Sequence, residues 1–345
     1  MFRIVSLPGD GIGPEVTAAA LGVMELAASR FGFGFEVVEH LVGGAAIDAV
    51  GDPLPSRSLE ACRTADAVFL GAVGGPKWSG GGPRPEQGLL KLRSELGLFA
   101  NLRPVRVMPG LEAFSPLRDP DGMDLMIVRE LTGGLYFGAK EEGSEAASDL
   151  CPYSKDEVER LARIGFELAS SRRGRLASVD KANVLATSRL WRRTVDAVSA
   201  DYPDVEVEHV LVDAMSMHLV TRPGAYDVIV TENLFGDILS DEAAAISGSI
   251  GLAASASLGA AGTAGLYEPV HGSAPDIAGT GAANPLGAIL SGALLLRRSA
   301  GRPDIGEAVE SAVETALASG VRTRDLGGTA TTDEMTSAVA SALAS

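Results

Sequence analysis

Apolar positions along the chain fall into two rhythms. Short, mostly apolar runs at residues 2–7, 65–71, 124–128, 176–179 and 226–231 read as strands, buried at 65–71 and 226–231, and residues 205–212 alternate as a strand does. Residues 15–30 place Val16, Ala20, Val23, Leu26 and Ala27 at helical spacing. Residues 155–171 do the same with Val158, Leu161, Ala162, Phe166 and Leu168. Further helices are predicted over 88–96, stopped by Gly97, over 188–200 and over 286–298. An Ala-rich helix is predicted to open at Asp237, after Phe235 and Gly236 break the preceding strand, and an Ala-rich tail closes the chain. Strands interleaved with helices in this way predict an α/β fold.

Between these elements lie glycine-rich connections. Residues 8–14 form a strand-to-helix turn that invites the dinucleotide fingerprint, but only Gly9 and Gly11 fit, and Pro14 occupies the third position. That position needs glycine for close helix–strand packing, so the Rossmann reading is disfavoured. Residues 73–86 form a long Gly/Pro loop of the kind that rims active sites. A second Gly/Pro loop spans 267–285, and its backbone NH groups suit a phosphate while Asp276 suits ribose hydroxyls. The polar stretch reaching Asp149 reads as a protruding arm.

Candidate chemistry gathers where elements end. Asp237 and Asp241 share one helical face, where like charges repel by roughly 0.2–0.5 kcal/mol on an exposed helix. Either Asp237 caps the helix and Asp241 sits solvated in its first turn, or a divalent cation lies between them. Arg93 falls late in a helix, Arg103 at the end of the next strand and Arg129 at the end of another. Each alone reads as a surface charge; together they offer guanidinium forks for a substrate with two or three carboxylates. Lys181 comes just after a strand, where open α/β sheets keep their ligands, and Asp213 is a third strand-end acid or an N-cap. Tyr136 reads by default as a surface or interface tyrosine, His218 as a packed helix residue, and His40 and His209 carry no signal.

Length and composition set the frame. The 345 residues allow two domains or one large α/β unit, with 46% hydrophobic and 21% charged residues. A net charge of −16 disfavours nucleic acid and anionic membrane surfaces. Cys62 and Cys151 lack metal-type spacing and read as reduced thiols. The start has no signal-type segment, and the apolar run 288–296 is too short to span a bilayer. A soluble cytoplasmic protein is expected.

Taken together, LPGDGIGPEV, VGGPKW, LFANLRP, RELTGGLYFG, SVDKANVL, VDAMSMHLV, NLFGDILSD, EPVHGSAPDIAG and DLGGTATTDEM resemble the β-decarboxylating dehydrogenases, in the isopropylmalate branch. The resemblance covers essentially the whole chain. It implies a non-Rossmann two-domain α/β fold: residues 1–98 plus 248–345 as cofactor-binding domain, and 99–247 as substrate, metal and dimerisation domain with an intersubunit arm near 131–151. It implies a homodimer with shared active sites in the cleft, NAD as cofactor, and Mg²⁺ or Mn²⁺ held by Asp237 and Asp241 of one subunit and Asp213 of the other.

By the same resemblance, Arg93, Arg103 and Arg129 bind malate carboxylates, joined by Asp213, while Lys181 from the partner and Tyr136 form the acid/base pair. Leu89, Leu90 and the partner's Val184 would make an apolar pocket, where a γ-carboxylate would meet no donor at a cost of several kcal/mol. Gly75, Glu86, Asn183, Glu268, His271, Gly272, Ser273, Ala274, Asp276, Ile277 and Asn284 would contact the cofactor. Asp276 suits the hydroxyls of NAD and would repel the 2′-phosphate of NADP. The activity implied is NAD-dependent oxidation of 3-isopropylmalate, with loss of CO₂ to 4-methyl-2-oxopentanoate, in leucine biosynthesis. Sister activities on D-malate, tartrate or (homo)isocitrate, and a non-catalytic regulatory subunit, are the alternatives. Ser79 and Glu232 carry no functional expectation.

Overall fold

The computed structural model describes residues 1–120 and 122–345, and the chain divides into two compact units. Unit 1 comprises Met1–Leu98, Met108–Phe114 and Gly248–Ser345; unit 2 comprises Phe99–Val107 and Ser115–Ser247.

Unit 1 begins with β1 (Phe2–Gly9), α1 (Gly13–Arg30), β2 (Phe35–Glu39), α2 (Gly43–Val50), α3 (Ser56–Arg63), β3 (Ala67–Ala72) and α4 (Pro85–Glu95). Unit 2 then holds β4 (Ala100–Arg106), β5 (Asp124–Glu130), β6 (Lys140–Glu142), β7 (Ala147–Asp149), α5 (Lys155–Ser170), β8 (Arg175–Asp180), α6 (Ala186–Ser199), β9 (Glu206–Leu211), α7 (Val212–Thr221), β10 (Val228–Thr231) and α8 (Asn233–Ile246). The chain returns to unit 1 with β11 (Ala254–Leu258), β12 (Gly265–Pro269), α9 (Leu286–Arg298), α10 (Pro303–Ala318) and α11 (Thr332–Ala344).

In unit 1 the strands run in the order β2-β1-β3-β12-β11, parallel except for the β12–β11 pair. Every residue of β3 is buried, as a parallel strand covered on both faces requires. The apolar run 288–296 lies in α9, a helix buried almost all round, so it is a core element. Among the described residues no helix is long and apolar enough to cross a membrane. Cys62 is buried in this unit, where burial pushes its thiol up to about 12, and neither cysteine is in a disulfide.

In unit 2 the order is β4-β5-β10-β8-β9, with β4–β5 antiparallel and the other pairs parallel. Its core joins Ile127, Val179, Val210 and Ile229 of the sheet to Met215, Leu219 and Leu239 of α7 and α8. Strands β6 and β7 form a separate antiparallel pair, wholly exposed.

Several sequence expectations change here. Helix α8 opens at Asn233 rather than Asp237, because Glu232 accepts a hydrogen bond from the Phe235 backbone NH and so caps it. Asp237 therefore lies in the second turn, and the capping explanation for it fails. Likewise Asp213 is not an N-cap: Leu211 holds that position and Asp213 sits in the first turn of α7. Arg103 is mid-strand in β4, not at its end. Residues 267–269, read as loop, complete β12. The Ala-rich tail is two helices, α10 and α11, the second closed by a capping box between Thr331 and Glu334.

Candidate active site

The parallel strands of unit 2 deliver their carboxyl ends side by side, with Arg129 opposite Thr231, Thr231 opposite Val179, and Asp180 opposite Leu211. The residues at and just beyond these strand ends therefore share one edge of the sheet: Arg129 on β5, Asn233 after β10, Lys181 after β8 and Asp213 after β9. Ligands of open α/β sheets bind at this edge.

The densest cluster lies on α8. Asp237 Oδ1 accepts a hydrogen bond from Arg129 Nη1 and lies 3.6 Å from Arg103 Nη2. Its Oδ2 accepts from the Tyr136 hydroxyl at 2.6 Å. Asp241 accepts from Arg103 Nη1 at 3.2 Å. The two arginines are nearly buried, at 8% and 5% exposure, whereas the Asp241 side chain is 56% exposed. The arginines thus form a fixed floor, and the carboxylates face outward from it. Burial raises the Asp241 pKa, with Arg103 opposing, and burial together with the Asp237 carboxylate holds the Tyr136 phenol above its ordinary value.

Around this floor, Arg103 Nε donates to Asn101 at 2.7 Å and Nη1 to Ser240 at 2.6 Å. The Arg129 guanidinium lies 5.4 Å from the Tyr136 ring centroid, a cation–π contact. Tyr136 ends a short turn, Gly134–Tyr136, shaped by Glu130, which accepts from the backbone NH groups of Thr132 and Gly133.

A second cluster joins Lys181 Nζ to Asp213 Oδ1, and this pairing holds the Asp213 pKa below the usual carboxylate range. Two neighbours fix the Lys181 backbone. Asp180, 1% exposed, takes a bidentate pair from Arg192 at 2.9 Å on each arm, and Ser188 Oγ accepts from Lys181 NH at 3.0 Å. Asn183 and Val184 project beside it, Val184 at 62% exposure. Asp213 is thus placed with Lys181, apart from Asp237 and Asp241. Among the described residues no three His, Cys, Asp or Glu side chains converge to hold a metal ion.

Unit 1 holds the remaining candidates. Arg93, late in α4, makes a buried ion pair of 2.7 Å with Glu268 on β12. Leu89 packs against the unit 1 core, while Leu90 is 37% exposed. The loop after β12 turns back on the first strand–helix turn. Gly11 (φ +58°) approaches Ser273 so closely that a Cβ would lie 2.0 Å from its carbonyl oxygen, and Ile12 NH donates to that oxygen at 2.8 Å. Gly9 and Gly11, which invited the dinucleotide fingerprint, therefore serve backbone packing.

Asp10, in the same turn, is 5% exposed and accepts from the backbone NH groups of Gly44, Ala45 and Gly74. Beyond Gly74, Gly75 takes φ +154°, and Glu86 in the first turn of α4 leans over Gly74. Next to Ser273, Ala274 is the one described non-glycine residue with positive φ, at +37°. Gly272 and Asp276 are exposed, and Ile277 NH bonds back to Ala274. Burial lowers the His271 pKa, and its Nε2 is buried without a partner among the described residues. Asn284 is fixed by Asp325 at 3.0 Å and caps the Leu286 backbone.

Sequence reasoning passed over Asp10, Asp180, Arg192, Asn233 and Glu232. One signal was available for the last: an acid immediately before a helix is an N-cap candidate. The others act through fold-dependent contacts.

A β-decarboxylating dehydrogenase is what this fold, this edge of acids and arginines, and the sequence define together. The chain belongs to the isocitrate/isopropylmalate dehydrogenase family, which it matches over residues 3–339. Its relatives include the 3-isopropylmalate dehydrogenase of Staphylococcus aureus, 52% identical over 337 residues and 97% of each chain. That of Gloeobacter violaceus is 54% identical over 335 residues, 94% of this chain and 92% of the other. Among solved structures, an isocitrate dehydrogenase from Methylococcus capsulatus superposes with a TM-score of 0.91 at 37% identity, each chain covered completely. A β-decarboxylating dehydrogenase from Thermococcus kodakarensis gives 0.84 at 38% identity, covering 100% of this chain and 96% of that one.

Proposed function

We propose that this protein oxidises 3-isopropylmalate with NAD⁺ and releases CO₂ to give 4-methyl-2-oxopentanoate, a step of leucine biosynthesis. The observation that carries the reading is the α8 cluster, in which Asp237 and Asp241 stand over Arg103 and Arg129 with the Tyr136 hydroxyl on Asp237. The 52% and 54% identity to proteins of that name supports the substrate.

The donor set fits Mg²⁺ or Mn²⁺: oxygen-only carboxylates on one helical face, with outward exposure. Asp237 and Asp241 would hold the ion with Asp213 of a second copy. The loop at 271–277 suits NAD, because His271 Nε2 is a buried ring nitrogen still seeking a partner and Asp276 is exposed for ribose hydroxyls. Gly75, Glu86, Asn183, Glu268, Gly272, Ser273, Ala274, Ile277 and Asn284 complete the proposed cofactor set. When bound, the ion supplies Lewis acidity to the hydroxyl and its neighbouring carboxylate, and NAD⁺ supplies the hydride acceptor.

The chain's own residues do the rest. Arg93, Arg103 and Arg129 hold the substrate carboxylates bidentately. For Arg93 this requires sharing a guanidinium that now pairs with Glu268. Lys181, contributed by the second copy, takes the proton of the C2 hydroxyl as its neutral amine, directly or through a water; the pairing with Asp213 is that of its ammonium. Tyr136, a phenol protonated near neutral pH, delivers a proton to C3 after CO₂ leaves. Leu90 and the second copy's Val184, both exposed and apolar, receive the isopropyl group, with Leu89 behind. A cytoplasmic homodimer is the accompanying reading, supported by the acidic composition and the exposed β6–β7 arm.

The test is product formation. With Mg²⁺, 3-isopropylmalate should give equimolar NADH, CO₂ and 4-methyl-2-oxopentanoate, and a chelator should stop all three. kcat/KM should exceed that for D-malate or isocitrate by about tenfold or more, as missing or mismatched pocket contacts allow. Equal or better turnover of D-malate would overturn the substrate assignment.

A further inference from the structure

Asn233 is 1% exposed, and its amide oxygen, amide nitrogen and backbone NH are all hydrogen-bonded within unit 2. Its Oδ1 accepts two hydrogen bonds from Arg129, from Nε at 3.1 Å and Nη2 at 2.8 Å. The Nδ2 donates to the Gly133 carbonyl at 3.2 Å, and the backbone NH donates to the Tyr153 hydroxyl at 3.0 Å. Tyr153 in turn donates to Glu232, the cap of α8, at 3.0 Å.

The consequences are geometric. A guanidinium held along its Nε–Nη2 edge has a fixed plane, and the remaining arm, Nη1, then points at Asp237. The Arg129 stem is confined as well: a Cβ on Gly236 would lie 2.6 Å from its Cγ, so α8 comes directly against it. The bond to Gly133 ties the head of α8 to the turn that carries Tyr136. Tyr153 fills the same corner, since a Cβ on Gly133 or Gly134 would lie 2.6 Å or 2.3 Å from its atoms. One amide thus sets the plane of a proposed substrate arginine and anchors the segment bearing the proposed proton donor.

We propose that Asn233 is a positioning residue for the reaction, orienting Arg129 through its amide oxygen and the Gly134–Tyr136 turn through its amide nitrogen. The roles of Arg129 and Tyr136 rest on the function proposed above; the contacts of Asn233 do not.

A double-mutant cycle on the full-length protein tests this, using whichever of 3-isopropylmalate, isocitrate and D-malate the wild type turns over best. Asn233→Ala should raise the KM for the hydroxy acid by about tenfold, as expected when a buried arginine loses its partner, and leave the KM for NAD⁺ unchanged. In an Arg129→Ala background the same substitution should change that KM by less than about twofold, because its target is gone. Loss of the Gly133 contact should lower kcat in both backgrounds through Tyr136, whereas a residue that merely stabilised the fold would leave KM constant in both and cut kcat only in proportion to the folded fraction, and that result would overturn the proposal. So would an equal KM effect with and without Arg129. If Asn233→Ala does not accumulate as folded protein, Asn233→Ser, too short to reach both partners, enters the same cycle under the same criteria. A wild type that prefers isocitrate would contradict the substrate assignment and leave the cycle readable.

Discussion

Asp237 and Asp241 stand one helical turn apart, an arrangement that costs roughly 0.2–0.5 kcal/mol on an exposed helix. Here Arg103 and Arg129 lie against them at low exposure, and Arg103 offsets part of the burial that raises the Asp241 pKa. The two groups proposed to handle protons sit in different settings. Tyr136 is a phenol, protonated near neutral pH, and burial with Asp237 raises its pKa further, which suits the proposed role of donor. Lys181 faces Asp213. Lys181→Met should therefore lose about 10²–10⁴ in kcat while NAD⁺ affinity, read by calorimetry, is retained. Tyr136→Phe should lose a comparable factor in formation of 4-methyl-2-oxopentanoate. Near-normal turnover in either variant would remove that residue from its role. At this scale the sequence showed the residue types and their motifs well, because acids, arginines and a lysine at element ends are visible as letters. The supports were hidden: Asn233 and Asp180 act through partners 104 and 12 residues away, which only the fold reveals.

Element boundaries explain most of the differences from expectation. Helix α8 begins four residues early because Glu232 caps it, and a helix start is decided by the local hydrogen bond rather than by where alanines become frequent. The same cap carries a pH signature. Burial raises the Glu232 pKa, so the folded state holds this proton more tightly than the unfolded chain does. Stability from this group is then greatest below the unfolded value and falls as pH rises through the raised folded value. Glu232→Gln removes the titration. Urea midpoints of variant and parent, compared at about pH 5 and pH 8, should show the variant's relative stability improving with pH. A difference that stays constant, or moves the other way, would contradict this account of the cap. The buried parallel strands β3 and β8, and α5, were legible from rhythm alone, since their apolar faces are clean. Strand β2, with no fully buried residue, and the short α2 and α3 gave too little pattern to read.

The whole molecule is strongly acidic, so the arginine floor that β4 and β5 set against α8 is a local exception in a field that repels anions. The family match over residues 3–339 gives the chain its class, and the α8 cluster is where its chemistry is proposed. Within one chain Asp213 belongs with Lys181, and Asp237 belongs with Asp241. The central claim is that the two groups meet across copies of the chain. Mixing unfolded Lys181→Met and Asp237→Asn chains and refolding them together measures this directly. Each variant alone should be nearly inactive. If the site is shared, a mixed dimer carries one site with both Lys181 and Asp237 intact, and random pairing should restore about a quarter of parental activity. Activity that stays at the level of the separate variants, in a preparation shown to contain mixed dimers, would contradict the account.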